Sequence, residues 1–247
     1  NTLAPKGKAG QWLLDPYDLT ISSATDQNWS QNSSSYTASG NNSVVNVTTL
    51  TNALSTSSVT ISTGTGGTQT GNITVNSNIS WSANTTLTLS AAGGIVLNNN
   101  IVNSGASSAV VLTAAGSGGI SGAGNLTNSG AVTFNVNHAI GNGTLSGIIS
   151  GGGSLTKAGA GWLTLSGNNT YTGATTISNG TLKVGSATAL GNASTVTVNN
   201  GASLDLNGQT MTSTGALNLN GTGMSSTGAL TNSSTIGITD FQEQRQT

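Results

Sequence analysis

The fold follows from the stretch VTISTGTGGTQTGNITVNSNISWSANTTLTLSAAGGIVL, residues 59–97. Its apolar residues gather in short triplets, VTI at 59–61, ITV at 73–75, LTL at 87–89 and IVL at 95–97, set in Gly, Asn, Ser and Thr. Apolar residues alternating with polar ones over three to five positions have the period of a half-buried strand. The texture continues through VVL at 110–112 and VTF at 132–134, and residues 27–156 hold no Asp, Glu, Lys or Arg. An ordinary globular enzyme needs charges for solubility and for chemistry. A stack of very short strands joined by polar turns needs few, so the stretch predicts a repetitive all-β rod.

Of the 247 residues, 105 are Asn, Ser or Thr and 36 are Gly. Such bias can mean disorder. Disorder, however, goes with high net charge and few β-branched residues, whereas the formal charge here is −1 and Val, Ile and Thr recur throughout. The chain has no cysteine, so disulfides are excluded as a source of stability. No run of 18 apolar residues could span a membrane as a helix, and no charged-then-apolar leader opens the chain. Five basic against six acidic residues give no electrostatic handle on nucleic acid.

Composition divides the chain into residues 1–29, a cap or docking segment holding both prolines and two of the four tryptophans; 30–224, the low-charge repetitive body; and 225–247, a polar tail or cap. Within the body, Val59, Ile73 and Leu87 start triplets at an even step, and LKV at 182–184 and VTV at 196–198 repeat that step. LDL at 204–206 and LNL at 217–219 then follow at shorter, unequal intervals. This irregular spacing suits coils of roughly 20 residues with two or three strands each and turns of varying length. It argues against a long flat threonine array of the kind that orders ice.

One three-residue strand cannot stabilise itself. Stacked on copies above and below at about 4.8 Å it joins a long parallel sheet in which every backbone group is paired. Val, Ile and Leu then point inward as a narrow core, while outward Thr, Ser and Asn align into ladders. Gly and Asn in NNG at 199–201, SNG at 178–180 and LNG at 206–208 supply the positive φ of the corners. The expectation is a parallel β-helix, a solenoid of about ten coils and about 45–50 Å. Almost no helix is expected, because no segment sets apolar residues at helical spacing against charged ones. An antiparallel sandwich would require longer strands and more than nine aromatic residues.

Residues 153–185, GSLTKAGAGWLTLSGNNTYTGATTISNGTLKVG, resemble the autotransporter-associated β-strand repeat of secreted bacterial passenger domains. The resemblance rests on Leu155, Lys157, Gly159, Gly161, Leu163, Leu165, Gly167, Tyr171, Gly173, Thr175, Ile177, Gly180, Leu182 and Val184. Trp162 departs from it, standing where a small polar residue is usual. The opening GQWLLDPYDLTI, residues 10–21, is similar to a segment of large exoproteins of the filamentous-haemagglutinin type. The resemblance implies a right-handed parallel β-helix exported across the outer membrane of a Gram-negative bacterium, secreted or held at the cell surface. It implies no catalytic residue. No translocator barrel follows the body, so a fragment, a short member or a separate outer-membrane export partner is expected.

The residues give no strong chemical constellation. A polysaccharide-active solenoid needs carboxylates converging on one face. Here Asp15, Asp18 and Asp26 form the one cluster and Asp205 stands alone in LDL. Asp15 before Pro16 reads as a turn initiator and Asp18 as a cap or turn residue. His138, the sole histidine, has no charged neighbour within 18 positions and reads as an outward or corner residue. No catalytic, cofactor or metal residue is assigned, and the many Asn-x-Ser/Thr triplets, Asn72, Asn84, Asn125, Asn142 and Asn179 among them, are those chance provides.

The expectation is therefore a non-enzymatic, structural or adhesive extracellular protein. The ends of such a rod must be capped or they pair with another chain. Trp12, Leu13, Leu14, Tyr17 and Phe241 are candidates for a cap or for a head-to-tail contact that builds filaments. Trp162 and Tyr171 are candidates for a surface aromatic contact with a receptor, and Trp29 and Trp81 could stack on sugar rings. Self-association or a cell-surface receptor are the partners implied, and a carbohydrate-binding or polysaccharide-active solenoid is the alternative.

Overall fold

The structure is a computed structural model that describes residues 16–140, 142–212 and 215–234. Its short strands stack into three sheets that wind together as a parallel β-solenoid of about nine turns. The first sheet takes, in spatial order, Ser43–Asn46, Leu19–Ser22, Ile73–Val75, Ile95–Leu97, Ile120–Gly122, Thr144–Leu145, Trp162–Leu165, Gly180–Val184, Ala202–Asp205 and Leu230–Thr231. The second takes Trp29–Asn32, Ser35–Ala38, Val59–Ser62, Thr86–Ala91, Ala109–Ala114, Ala131–Val136, Leu155–Ala158, Thr175–Ile177, Thr195–Val198 and Ala216–Leu219. A third, of Ile79–Trp81, Ile101–Asn103, Leu126–Asn128 and Ile149–Ser150, serves four turns.

This winding explains the irregular spacing of the triplets. Val59 and Leu87 are register partners in the second sheet, whereas Ile73 between them belongs to the first. The even steps are thus passages between sheets, not whole turns. The later step from Val196 to Leu204 is a short return from the second sheet to the first, and Leu182, one full turn before Leu204, is its register partner. Turns differ in length. Leu163 and Leu182 are partners close together in sequence, Val59 and Leu87 partners much further apart, and the difference falls in the connections.

Inside, side chains of like kind stack in columns. One column runs Ile61, Leu89, Leu112, Phe134, Lys157, Ile177, Val198 and Leu219, each the register partner of the next. Burying one such aliphatic side chain contributes about 1.5–3 kcal/mol, so the core's strength lies in repetition rather than in width.

Outside, threonines align as well. Thr60, Thr88, Val111, Thr133, Thr156, Thr176 and Thr197 are successive partners, so variable turn lengths leave the outward face in register. Asparagines form a second ladder. The Oδ1 atoms of Asn78, Asn100 and Asn125 accept the backbone N–H of Asn100, Asn125 and Ile148 on the next turn, at 3.0, 2.9 and 2.8 Å. The side chain of one turn thereby replaces a missing strand bond of the next.

The N-terminal end is closed by its own elements. Trp29–Asn32 folds antiparallel onto Ser35–Ala38, Gln27 bridges Val44 in both directions, and helix α1, Val47–Leu54, lays the fully buried Leu50 and Leu54 against the core. The sequence predicts almost no helix, and this short one is the single α-helix among the described residues. Its apolar positions 47, 50, 53 and 54 do lie on one face, but the opposite face is Thr and Asn, so a pattern that requires charged residues there misses it. Asn46 caps it, accepting the Thr48 N–H at 2.8 Å. The C-terminal end has no such cover among the described residues. Leu217, Leu219 and Leu230 on the last strands are 38%, 44% and 39% exposed.

Replacing Leu112 by Ala, in the middle of the inner column, is expected to lower stability by about 2–5 kcal/mol. Replacing Asn46 by Ala should cost about 1 kcal/mol. Denaturant unfolding measures both.

Candidate functional site

The most informative segment is the one carrying the repeat resemblance, because its residues fall on four strands that stack in two pairs, one pair in each of the two long sheets. Leu155 lies beneath Thr175, Lys157 beneath Ile177, Leu163 beneath Leu182 and Leu165 beneath Val184. Its glycines sit where turns touch. Gly159 has φ +76°, and a Cβ there would come within 2.3 Å of the Val136 carbonyl oxygen.

Lys157 is fully buried in the inner column between Phe134 and Ile177. Its Nζ donates to the carbonyl oxygens of Ala158, Gly159 and Asn179 at 2.8, 2.9 and 3.2 Å. The ammonium therefore fastens two successive corners, 158–159 and 179, to each other. Burial pushes it down to about 8, below the usual lysine range. Two turns are thus tied at a point where a hydrophobic side chain would leave three carbonyls without that donor.

Tyr171 is buried, and its hydroxyl pairs with Thr175 Oγ1 at 2.7 Å; burial pushes it up to about 12, against the opposing effect of that hydrogen bond. This corrects the expectation of a surface contact: the Thr170 and Thr172 N–H groups donate to the Ile149 and Gly151 carbonyls at 2.9 and 3.1 Å, so the segment stacks on the last strand of the third sheet and carries the Tyr171 ring inward. Trp162 does stand at the surface, 36% exposed. Lys183 lies over its ring at 4.9 Å from the centroid, and the same ammonium pairs with Asp205 Oδ2 at 3.3 Å. Burial would raise the Asp205 carboxyl. The Ser233 hydroxyl and N–H, the Asn207 N–H and Lys183 outweigh that and hold it below the usual carboxylate range. A groove of about 590 Å³ opens beside Trp162 over Ser121, Asn142, Thr144 and Thr164.

The described carboxylates, Asp18, Asp26 and Asp205, do not converge. Asp18 accepts from the Asn72 N–H and the Thr70 hydroxyl at 2.7 and 3.1 Å. Asp26 accepts from the Asn46 N–H, the Thr49 hydroxyl and the Trp29 indole N–H at 2.6, 2.5 and 3.2 Å, which fastens helix α1 to the hairpin. Asp205 lies near the opposite end, and among the described residues no three of His, Asp or Glu gather. His138 is exposed, as expected. Trp81 is buried, and Trp29 packs at 4.9 Å on Tyr36. Tyr17 packs against the core and donates its hydroxyl to the Gly66 carbonyl at 2.9 Å. Trp12, Leu13, Leu14, Asp15 and Phe241 lie outside the described residues.

Residues 155–184 match the family described as the passenger-associated-transport-repeat. This span coincides with the four stacked strands around Lys157, and the repeat together with the β-solenoid fits an autotransporter passenger-like protein. No curated protein and no solved structure matched the chain. No helix among the described residues is long and apolar enough to cross a membrane. What the sequence missed is the inward setting of Lys157 and Tyr171; position 157 continues the period-2 burial of Leu155, the signal that could have placed it.

Because the folded Lys157 titrates at about 8 and an unfolded lysine near 10.4, the folded state binds fewer protons between those values. Stability should therefore rise with pH from about 8 toward 10, with a slope approaching ~1.4 kcal/mol per unit. Below that window the contribution is constant. Lys157→Met should flatten the profile, as read by denaturant unfolding at each pH.

Proposed function

We propose that this chain is a non-enzymatic, adhesive or structural passenger-type solenoid displayed outside a Gram-negative cell. The observation that carries the reading is the coincidence of the matched repeat, 155–184, with consecutive turns of a long stacked core. A rod held by backbone pairing and by small polar ladders depends little on salt, because few of its contacts are ionic. Such a rod suits the variable medium outside a cell. The dispersal of the described carboxylates, Asp18, Asp26 and Asp205, supports a binding rather than a hydrolytic role, since glycoside cleavage uses two of them facing one bond. With the N-terminal end closed by its hairpin and helix, the lateral faces and the exposed Leu217, Leu219 and Leu230 of the last described strands are the routes to a partner, a second copy included.

Two measurements test this. Expressed with its native flanking sequence in a Gram-negative host, an epitope in the body should be cleaved by protease added to intact cells, or recovered from the medium. Protection until the cells are lysed would contradict the surface assignment. Incubation with a panel of polysaccharides should release no reducing ends, and activity that disappears in Asp205→Asn would establish an enzyme instead.

A further inference from the structure

Two shallow concavities on the outer surface meet at Gly118. One opens over Thr70, Asn72 and Gly93, and the other over Ser121, Thr144, Thr164 and Trp162 and on to Asn207. Assigned to the strands beside them, these residues together with Lys183 belong to seven successive turns of the solenoid. At about 4.8 Å per turn the combined groove extends about 30 Å along the axis, drifting from the leading corner at Asn72 across the strands to the trailing corner at Asn207. Its corners are open because side chains cannot fit there. A Cβ on Gly143, for example, would lie 1.9 Å from the Ile120 carbonyl oxygen. The contact between turns that demands glycine therefore also keeps the trough clear.

The lining has a specific chemistry. Hydroxyls and amides of Ser, Thr and Asn predominate, and Lys183, the one cation among the described lining residues, is neutralised by Asp205 at 3.3 Å. Nothing among the described lining residues attracts an anionic chain. Trp162 is the one aromatic among the large exposed apolar residues described, and Lys183 at 4.9 Å from its ring holds the indole in place. An extended peptide gains its affinity from unpaired main-chain groups at a sheet edge. This groove crosses the face of the first sheet, where strands are paired on both sides. A ligand matching a long, uncharged, hydroxyl-lined trough with one aromatic platform is itself uncharged, linear, rich in hydroxyls and apolar on one face. We propose that the groove binds a neutral polysaccharide chain, with a sugar ring seated on Trp162 and neighbouring hydroxyls bonded to Ser121, Asn142, Thr144 and Thr164.

This inference names the ligand class of the surface-exposed solenoid argued above and rests on that reading for its biological setting. Isothermal titration calorimetry of the whole chain with neutral hexasaccharides (cellohexaose, laminarihexaose, mannohexaose, maltohexaose) and with alginate oligomers as the charged control tests it. At least one neutral hexasaccharide should bind, with affinity falling at least tenfold in Trp162→Ala. Thr164→Arg, which puts a charged side chain on the groove floor, should weaken binding similarly. Both positions face outward, so circular dichroism should confirm unchanged folding. Binding of none of the neutral probes, binding of alginate alone, or a Trp162→Ala protein that binds as the parent does would overturn the proposal. A chain that is cleaved by protease on intact cells but binds no glycan would leave the surface reading standing and this inference refuted.

Discussion

In-register pairing of one turn on the next is the constraint from which the other features of this molecule follow. A strand of three residues with two inward side chains has no stability alone, and each turn here offers only two or three of them. Once turns are stacked, every backbone group within a strand finds a partner above and below, and like side chains meet like. Register then becomes strict, because a slip of one residue would turn Leu, Ile and Val outward and Thr inward. The connections carry no such demand. The turn from Val59 to Leu87 is therefore longer than the one from Leu163 to Leu182, while the columns stay continuous.

That division between strict strands and free connections explains which features are legible in the sequence. The triplets at 59–61, 73–75, 87–89 and 95–97 are strands, with their outer members buried and their middle ones facing out. The spacing between them is harder to read, because successive triplets belong to different sheets. The threonine ladder on the second sheet is obscured for the same reason: the irregularity lies in the loops and never reaches the strands. Helix α1 is hidden because its solvent face is made of Thr and Asn, as everywhere else in this chain, so polarity marks no boundary. Tyr171 and the groove beside Trp162 depend on how a loop folds and on which turns lie side by side, and neither is a local property of sequence.

Lys157 shows what the matched repeat contributes physically. A fully buried ammonium without a carboxylate partner among its bonds is costly, and its depressed proton affinity records that cost. In return, one flexible side chain satisfies three corner carbonyls on two turns. The glycines of the same segment allow those corners to approach, and Tyr171 with Thr175 continues the core where residues 170–172 overlie the last strand of the third sheet. The repeat is best understood as a locking unit within a stack of otherwise interchangeable turns. That role needs no catalysis and leaves the outer face free to vary, as Trp162 does.

Because the chain has no cysteine, spin labels can be placed at chosen pairs of outward threonines, and pulsed dipolar distances between them measure the stacking itself. Thr60 and Thr197 stand six turns apart in one column, so their label distance should be narrow and about 30 Å. Moving the first label from Thr60 to Thr88 should shorten it by one turn, about 5 Å. A broad distribution, or distances that ignore the step, would contradict the in-register solenoid on which the whole account rests.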